Sequence, residues 1–136
     1  HILSEGNEYI WTSKLERVSI IRKGIPYESI EGISKRINLP IKEVLYLFGI
    51  PQTTYNKKRR EKSLLNGRDS EIVLLLTELV DFGIEVFNNE EDKFQRWLKK
   101  PNYALGGYTP ESLLDSTTGI QEVKNCLNRL EHGNFA

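Results

Sequence analysis

From Tyr27 onward the apolar residues recur at helical spacing and never alternate strictly, which predicts helices separated by short, punctuated turns. Tyr27, Ile30, Ile33 and Ile37 make the first stripe, stopped by Asn38-Leu39-Pro40. Ile41 to Phe48 follows as a short helix with Val44, Leu45 and Phe48 facing inward. Gly49 is the ninth residue from Ile41, where a helix-turn-helix needs a left-handed turn that glycine makes at low cost. Pro51 suits the first position of the next helix, and Tyr55 falls where that helix must plug back into the one before. Leu45 departs from the pattern, since a small residue commonly sits there. After a loop from Leu64 to Arg68, Ser70 is expected to cap a long helix. Its stripe is Ile72, Leu75, Leu76, Leu79, Val80, Gly83, Val86 and Phe87. Asn88-Asn89 breaks that helix, and Glu90, Glu91 and Asp92 lie where the dipole of the next one favours acids.

The last third is dense in punctuation. Phe94, Trp97 and Leu98 form an i, i+3, i+4 triplet that ends at Pro101. The spacing places Trp97 in the core, with an exposed anchor as the alternative. Gly106-Gly107 predicts a turn with positive φ. Thr109 and Pro110 restart a helix as N-cap and first-turn proline. Thr118 and Gln121 form a capping-type pair ahead of Ile120, Val123, Leu127 and Leu130, and Gly133 closes the final helix. Asn102, Tyr103, Leu105 and Tyr108 are expected to be exposed around the two glycines. They read either as an adaptable contact surface with aromatic anchors or as a plain interhelical turn. Upstream, Tyr9, Ile10, Trp11, Leu15, Val18, Ile20 and Ile21 are too apolar for a free tail and predict a helix or a short extended arm packed on the body. No strand signal or repeat is present. The fold class is all-α.

Composition narrows the possibilities. The 136 residues, 38% hydrophobic and 28% charged, suit one domain or two small helical modules sharing a core. The apolar run Ile72–Leu76 is far too short to span a membrane, and no signal-peptide pattern is read. The single cysteine, Cys126, rules out an internal disulfide, reads as a packing residue and fits a reducing cytoplasm. The formal charge of zero hides an asymmetry. Residues 1–68 hold 13 Lys/Arg against 7 Asp/Glu, and residues 69–136 hold 6 against 12. A basic half suggests a polyanion and an acidic half a basic protein surface.

No catalytic set emerges. His1 and His132 cannot form a metal cluster with Cys126, and the Glu90-Glu91-Asp92 run is explained by its helix start. Gly106-Gly107 lacks the strand and Lys-Ser/Thr of a phosphate loop. An enzyme is not expected, and neither a metal nor another cofactor is implied. The basic run is more informative because it lies on the second helix of the helix-turn-helix. That motif places the helix in a major groove, so Gln52, Thr53, Asn56 and Lys57 are expected to face base edges. Lys58, Arg59, Arg60 and Lys62 suit phosphates.

Trp97-Leu98, Pro101-Asn102, Leu105-Gly106-Gly107, Thr109-Pro110, Leu113-Leu114, Gly119, Val123, Leu127 and the closing Arg129-x-Glu131-x-Gly133 resemble the toxin-binding domain of the Xre/MbcA/ParS antitoxins. The upstream helix-turn-helix resembles the same proteins, so the similarity covers most of Pro26 to Ala136. It implies four regions: an N-terminal segment (1–25), a DNA-binding helix-turn-helix (26–68), a linking or dimerisation helix (69–88) and a toxin-binding domain (89–136). It further implies a cognate RES-domain toxin that degrades NAD, operator DNA with autoregulation, and a homodimer within a larger toxin–antitoxin complex, away from any membrane.

The resemblance assigns toxin contact to Asn102, Tyr103, Leu105, Gly106, Gly107, Tyr108, Arg129, Glu131 and Gly133. Inhibition would be steric, with the helix Ile120–Leu130 and the tail Glu131–Ala136 across the NAD cleft. Residues 69–136 alone should then suffice to neutralise. The long helix and the N-terminal segment are both candidates for the dimer contact. The rival readings are a stand-alone transcription regulator with a C-terminal dimerisation or ligand-sensing module, and an antitoxin that has lost DNA binding.

Overall fold

A computed structural model describes residues 2–4 and 7–133. Among them run α1 (Lys14–Lys23), α2 (Ser29–Ile37), α3 (Ile41–Phe48), α4 (Gln52–Arg60), α5 (Gly67–Val86), α6 (Glu91–Leu98) and α7 (Thr117–Glu131). Two 3-10 turns, Tyr103–Leu105 and Pro110–Leu113, join α6 to α7. The N-terminal segment is both of the forms its apolar residues allowed. A short ribbon, β1 (Ile2–Ser4) antiparallel to β2 (Asn7–Glu8), precedes α1. Strands of three and two residues are too short for an alternating pattern to register, so the sequence carried no sign of them. The fold remains all-α. Among the described residues no helix is long and apolar enough to cross a membrane.

The turns form where the special residues stand. Asn38 is left-handed (φ 56°) and ends α2, with the Leu39 N–H donating to the Ser34 carbonyl. Gly49 is also left-handed (φ 69°), and the Ile50 N–H donates to the Leu45 carbonyl at 3.1 Å, which fixes the angle between α3 and α4. Asn88 and Asn89 both take positive φ and separate α5 from α6. Two caps differ from expectation. Asn66, not Ser70, caps α5, its Oδ1 accepting from the Asp69 N–H at 2.8 Å. Ser70 lies buried inside the helix, where its Oγ accepts from the Ile25 N–H and so pins the entry to α2. Ser116, not Thr118, caps α7, accepting from the Gly119 N–H at 2.9 Å. Ser116-Thr117-Thr118 offers three hydroxyls, and tertiary packing selects among them. A Cβ on Gly119 would stand 1.7 Å from the Leu113 carbonyl oxygen, so the chain must meet the helix at that point.

The long helix α5 is the centre of the molecule, touched by α1, α2, α6 and α7. A single stripe describes a helix with one neighbour; this one buries Val73, Leu74 and Thr77 beyond the stripe read from the sequence. On α6, Phe94 and Leu98 are fully buried, and a Cβ on Gly83 would be 2.2 Å from the Phe94 ring. Trp97 sits at the core edge, half-buried, 5.9 Å from the Phe87 ring and 6.3 Å from that of Phe94.

One hydrophobic cluster runs through both charge halves, from Ile30, Ile33 and Ile37 of α2 to Phe94 of α6 and Leu127 of α7. Polar contacts follow the same seam. Arg36 pairs with Asp81 at 2.6 Å, the Gln95 side chain donates to the Arg36 carbonyl at 2.9 Å, and Lys99 donates to the Ile37 carbonyl at 3.0 Å. α6 thereby caps the orphan carbonyls at the end of α2. Removing residues 1–68 would expose the face of α5 that α2 covers, which weighs against the expectation that residues 69–136 act alone. Charge separates along the sequence while the core does not.

Candidate functional site

Two surfaces carry the candidate residues. The first is the outer face of α4. Tyr55 anchors the helix, only 4% exposed. Its hydroxyl finds no hydrogen-bond partner among the described residues, and burial, reinforced by Glu31, pushes that group upward. Gln52, Thr53, Asn56, Lys57, Arg59 and Arg60 are exposed, and Lys58 is half-buried. The Gln52 amide donates to the Asn56 Oδ1 at 3.3 Å, so the two amides stand side by side one turn apart. Among the described residues Lys57, Lys58, Arg60 and Lys62 have no ion-pair partner. Arg59 does: its Nη2 lies 2.8 Å from the Glu31 carboxylate on α2. Sequence reasoning missed Glu31. It belongs to a different helix, and nothing local links it to the basic run.

The second surface is the loop between α6 and α7. Asn102 is its organiser and is buried (7% exposed), contrary to the expected exposure. Its Oδ1 accepts from the Ala104 N–H at 2.9 Å, and its amide donates toward the Cys126 sulfur at 3.6 Å. The Asn102 N–H donates to the Tyr108 carbonyl, while the Leu105 and Gly107 N–H groups donate back to the Asn102 carbonyl. Leu105 is likewise buried (8% exposed), because the turn folds it onto the core. Gly106 (φ 69°) and Gly107 (φ 86°) hold the left-handed backbone this crossing needs. What remains outside is Tyr103, fully exposed, and Tyr108, 62% exposed.

Arg129 is half-buried near the end of α7, and Glu131 and Gly133 are exposed beyond it. Burial pushes the Cys126 thiol up, with Arg129 opposing. Residues 134–136 of the expected tail lie outside the described residues. Beside the loop a groove of about 620 Å³ opens between α3 and the second 3-10 turn, lined by Leu39, Tyr46, Leu47, Thr109 and Asp115 among others. No group of three or more His, Cys, Asp or Glu able to hold a metal occurs among the described residues.

The two surfaces coincide with two family matches. Residues 16–78 match the antitoxin Xre-like helix-turn-helix domain, and residues 83–133 match the antitoxin Xre/MbcA/ParS C-terminal toxin-binding domain. At 30% identity over 132 residues, covering 91% of this chain and 83% of the relative, the chain is also similar to the Prs ADP-ribosylating antitoxin of Sphingobium sp. (strain YBL2). The chain belongs to the Xre/MbcA/ParS antitoxins.

Two proteins named Antitoxin Xre resemble it nearly as far. That of Photorhabdus laumondii subsp. laumondii is 29% identical, covering 85% of this chain and 78% of the relative. That of Yersinia enterocolitica is 29% identical, covering 88% and 80%. The protein is therefore an antitoxin of a toxin–antitoxin system, with a helix-turn-helix and a domain that implies a toxin partner. Within this antitoxin both matches reach into α5.

Proposed function

We propose that this antitoxin occludes the active site of an NAD-degrading RES-domain toxin and represses its own operon through α4, acting in the cytoplasm as a homodimer without chemistry of its own. The observation that carries the reading is the loop. A rigid, internally hydrogen-bonded turn that exposes Tyr103 and Tyr108 lies inside the region matched by the toxin-binding domain. Exposed aromatic side chains on a fixed frame bind with little ordering cost, which suits a partner held for long periods. The acidic C-terminal half would complement a basic, dinucleotide-binding cleft. ADP-ribosylation consumes NAD, so the name of the Sphingobium relative also supports a partner that uses this cofactor as substrate. The end of α7, where Glu131 and Gly133 are exposed and Arg129 is half-buried, would reach into such a cleft. On the other face, Gln52, Thr53, Asn56 and Lys57 would meet bases while Lys58, Arg60 and Lys62 meet phosphates. Two copies would be needed to present paired α4 helices to adjacent grooves.

The test is NAD consumption by the co-purified toxin. The full chain should abolish it, and a chain ending at Leu130 should restore it while still binding promoter DNA. If the shortened chain inhibits as well as the full one, occlusion by the end of α7 is wrong. Transfer of ADP-ribose to a protein acceptor, in place of free nicotinamide release alone, would reassign the partner to a different NAD-using class.

A further inference from the structure

The basic run on α4 is not uniform. Five cations, Lys57, Lys58, Arg59, Arg60 and Lys62, follow one another closely along the chain, yet among the described residues only Arg59 is ion-paired with the body. It reaches Glu31 on α2 at 2.8 Å, with Lys35 at 4.0 Å from the same carboxylate. Glu31, Arg59 and the buried Tyr55 line one small depression beside Gln52 and Asn56, the residues that would read bases. α4 is tied to the body by the Gly49 turn at its start, by Tyr55 in its middle and, three residues past its end, by the Ser63 carbonyl, which accepts from the Tyr27 N–H at 3.2 Å. Among the described residues, Arg59–Glu31 is the ion pair that links its last turn to α2. An ion pair there, about two turns beyond Gln52, limits how far the helix can roll about its own axis.

From this geometry we infer that Arg59 is a positioning residue, not a phosphate contact: with Glu31 it forms a strut that sets the roll of α4, so that the Gln52–Asn56 amide pair faces the bases. The inference rests on the reading of α4 as a DNA-contacting helix and corrects the role given to one of its residues. It also divides the run by task. Lys57, Lys58, Arg60 and Lys62 are left to neutralise phosphate charge, and Arg59 is already neutralised within the protein.

Counterion release separates the two roles. Each phosphate neutralised adds about 0.9 to the slope of log affinity against log salt. The experiment uses the full chain and two labelled duplexes, one of random sequence and one carrying the promoter upstream of its own gene, titrated across a range of salt. Arg60→Ala should flatten the slope by about 0.9 on both duplexes. Arg59→Ala and the isosteric Glu31→Gln should each leave the slope unchanged on both. They should lower the preference for the promoter over the random duplex by about two- to fivefold, the range an exposed ion pair can supply. The double variant should be no worse than either single one.

A slope flattened by Arg59→Ala as much as by Arg60→Ala would overturn the inference, as would a slope steepened by Glu31→Gln, since either would mark Arg59 as a phosphate ligand. Glu31→Gln keeps the test informative should Arg59→Ala fold poorly. If the unaltered chain binds neither duplex, the reading of α4 as a DNA-contacting helix fails first, and that result is distinct from a failure of the strut.

Discussion

The α4 face and the Asn102–Tyr108 loop build candidate contact surfaces by opposite means. α4 is a regular helix with one buried anchor, Tyr55, and a fringe of long polar side chains that few internal contacts restrain. Its character lies in side chains that could be exchanged without disturbing the backbone. The loop has no regular element longer than a single 3-10 turn, and nearly all of its polar groups are spent on itself. Its character lies in the backbone, and the exposed tyrosines are carried on it. A helix thus offers a surface tolerant of change, and a hydrogen-bonded loop offers one that is exact and brittle.

The largest effect expected would test whether the two surfaces are independent at all. A chain of residues 69–136 should show no cooperative thermal transition by circular dichroism, because α5 would lose the cover of Ile30, Ile33 and Ile37. A folded fragment that still inhibits the toxin would restore independence and refute the shared core. Next comes the loop. Asn102→Ala removes the acceptor for the Ala104 N–H and the donor toward Cys126, inside a buried site. Unfolding free energy should fall by about 1–3 kcal/mol. Toxin affinity should fall with it, and DNA affinity should stay within twofold of the original. An Asn102→Ala chain with unchanged stability would show that the loop is held by its glycines alone. The smallest effect belongs to the helix face. Arg60→Ala should change stability by less than about 0.5 kcal/mol, since Arg60 is exposed and unpaired among the described residues. A loss comparable to that of Asn102→Ala would erase the contrast between tolerant and brittle surfaces.

The same contrast explains what the sequence disclosed. α3, its turn and α4 were legible because each step depends on a residue with a strong local preference: Gly49 for positive φ, Pro51 for the helix start, Tyr55 for the inward face. The loop glycines were legible for the same reason. Caps were not, where several candidates competed. Ser70 looked like a cap and proved to be a bridge to the Ile25 backbone, a contact between residues 45 apart. The burial of Asn102 was equally hidden, since its partner Cys126 lies 24 residues downstream. α5 was read as a one-sided helix because periodicity reports where apolar residues lie and not how many neighbours a helix will gather. Pairings across helices, such as Arg59 with Glu31 or Lys99 with the Ile37 carbonyl, leave no mark in spacing at all.

The capping of α2 by Gln95 and Lys99 has a bearing on how such a gene can change over generations. A lineage that no longer needs to touch DNA cannot shed the helix-turn-helix by deletion, because the toxin-binding half leans on it for both its core and its polar seams. Loss must instead proceed by drift on the surface, one α4 cation at a time, beneath a fold kept intact by selection on neutralisation. Descendants of that kind would retain Gly49, Tyr55 and Gln95 while Lys57, Lys58 and Arg60 wander in identity, and a silent helix-turn-helix would persist as scaffold long after its first use had ended.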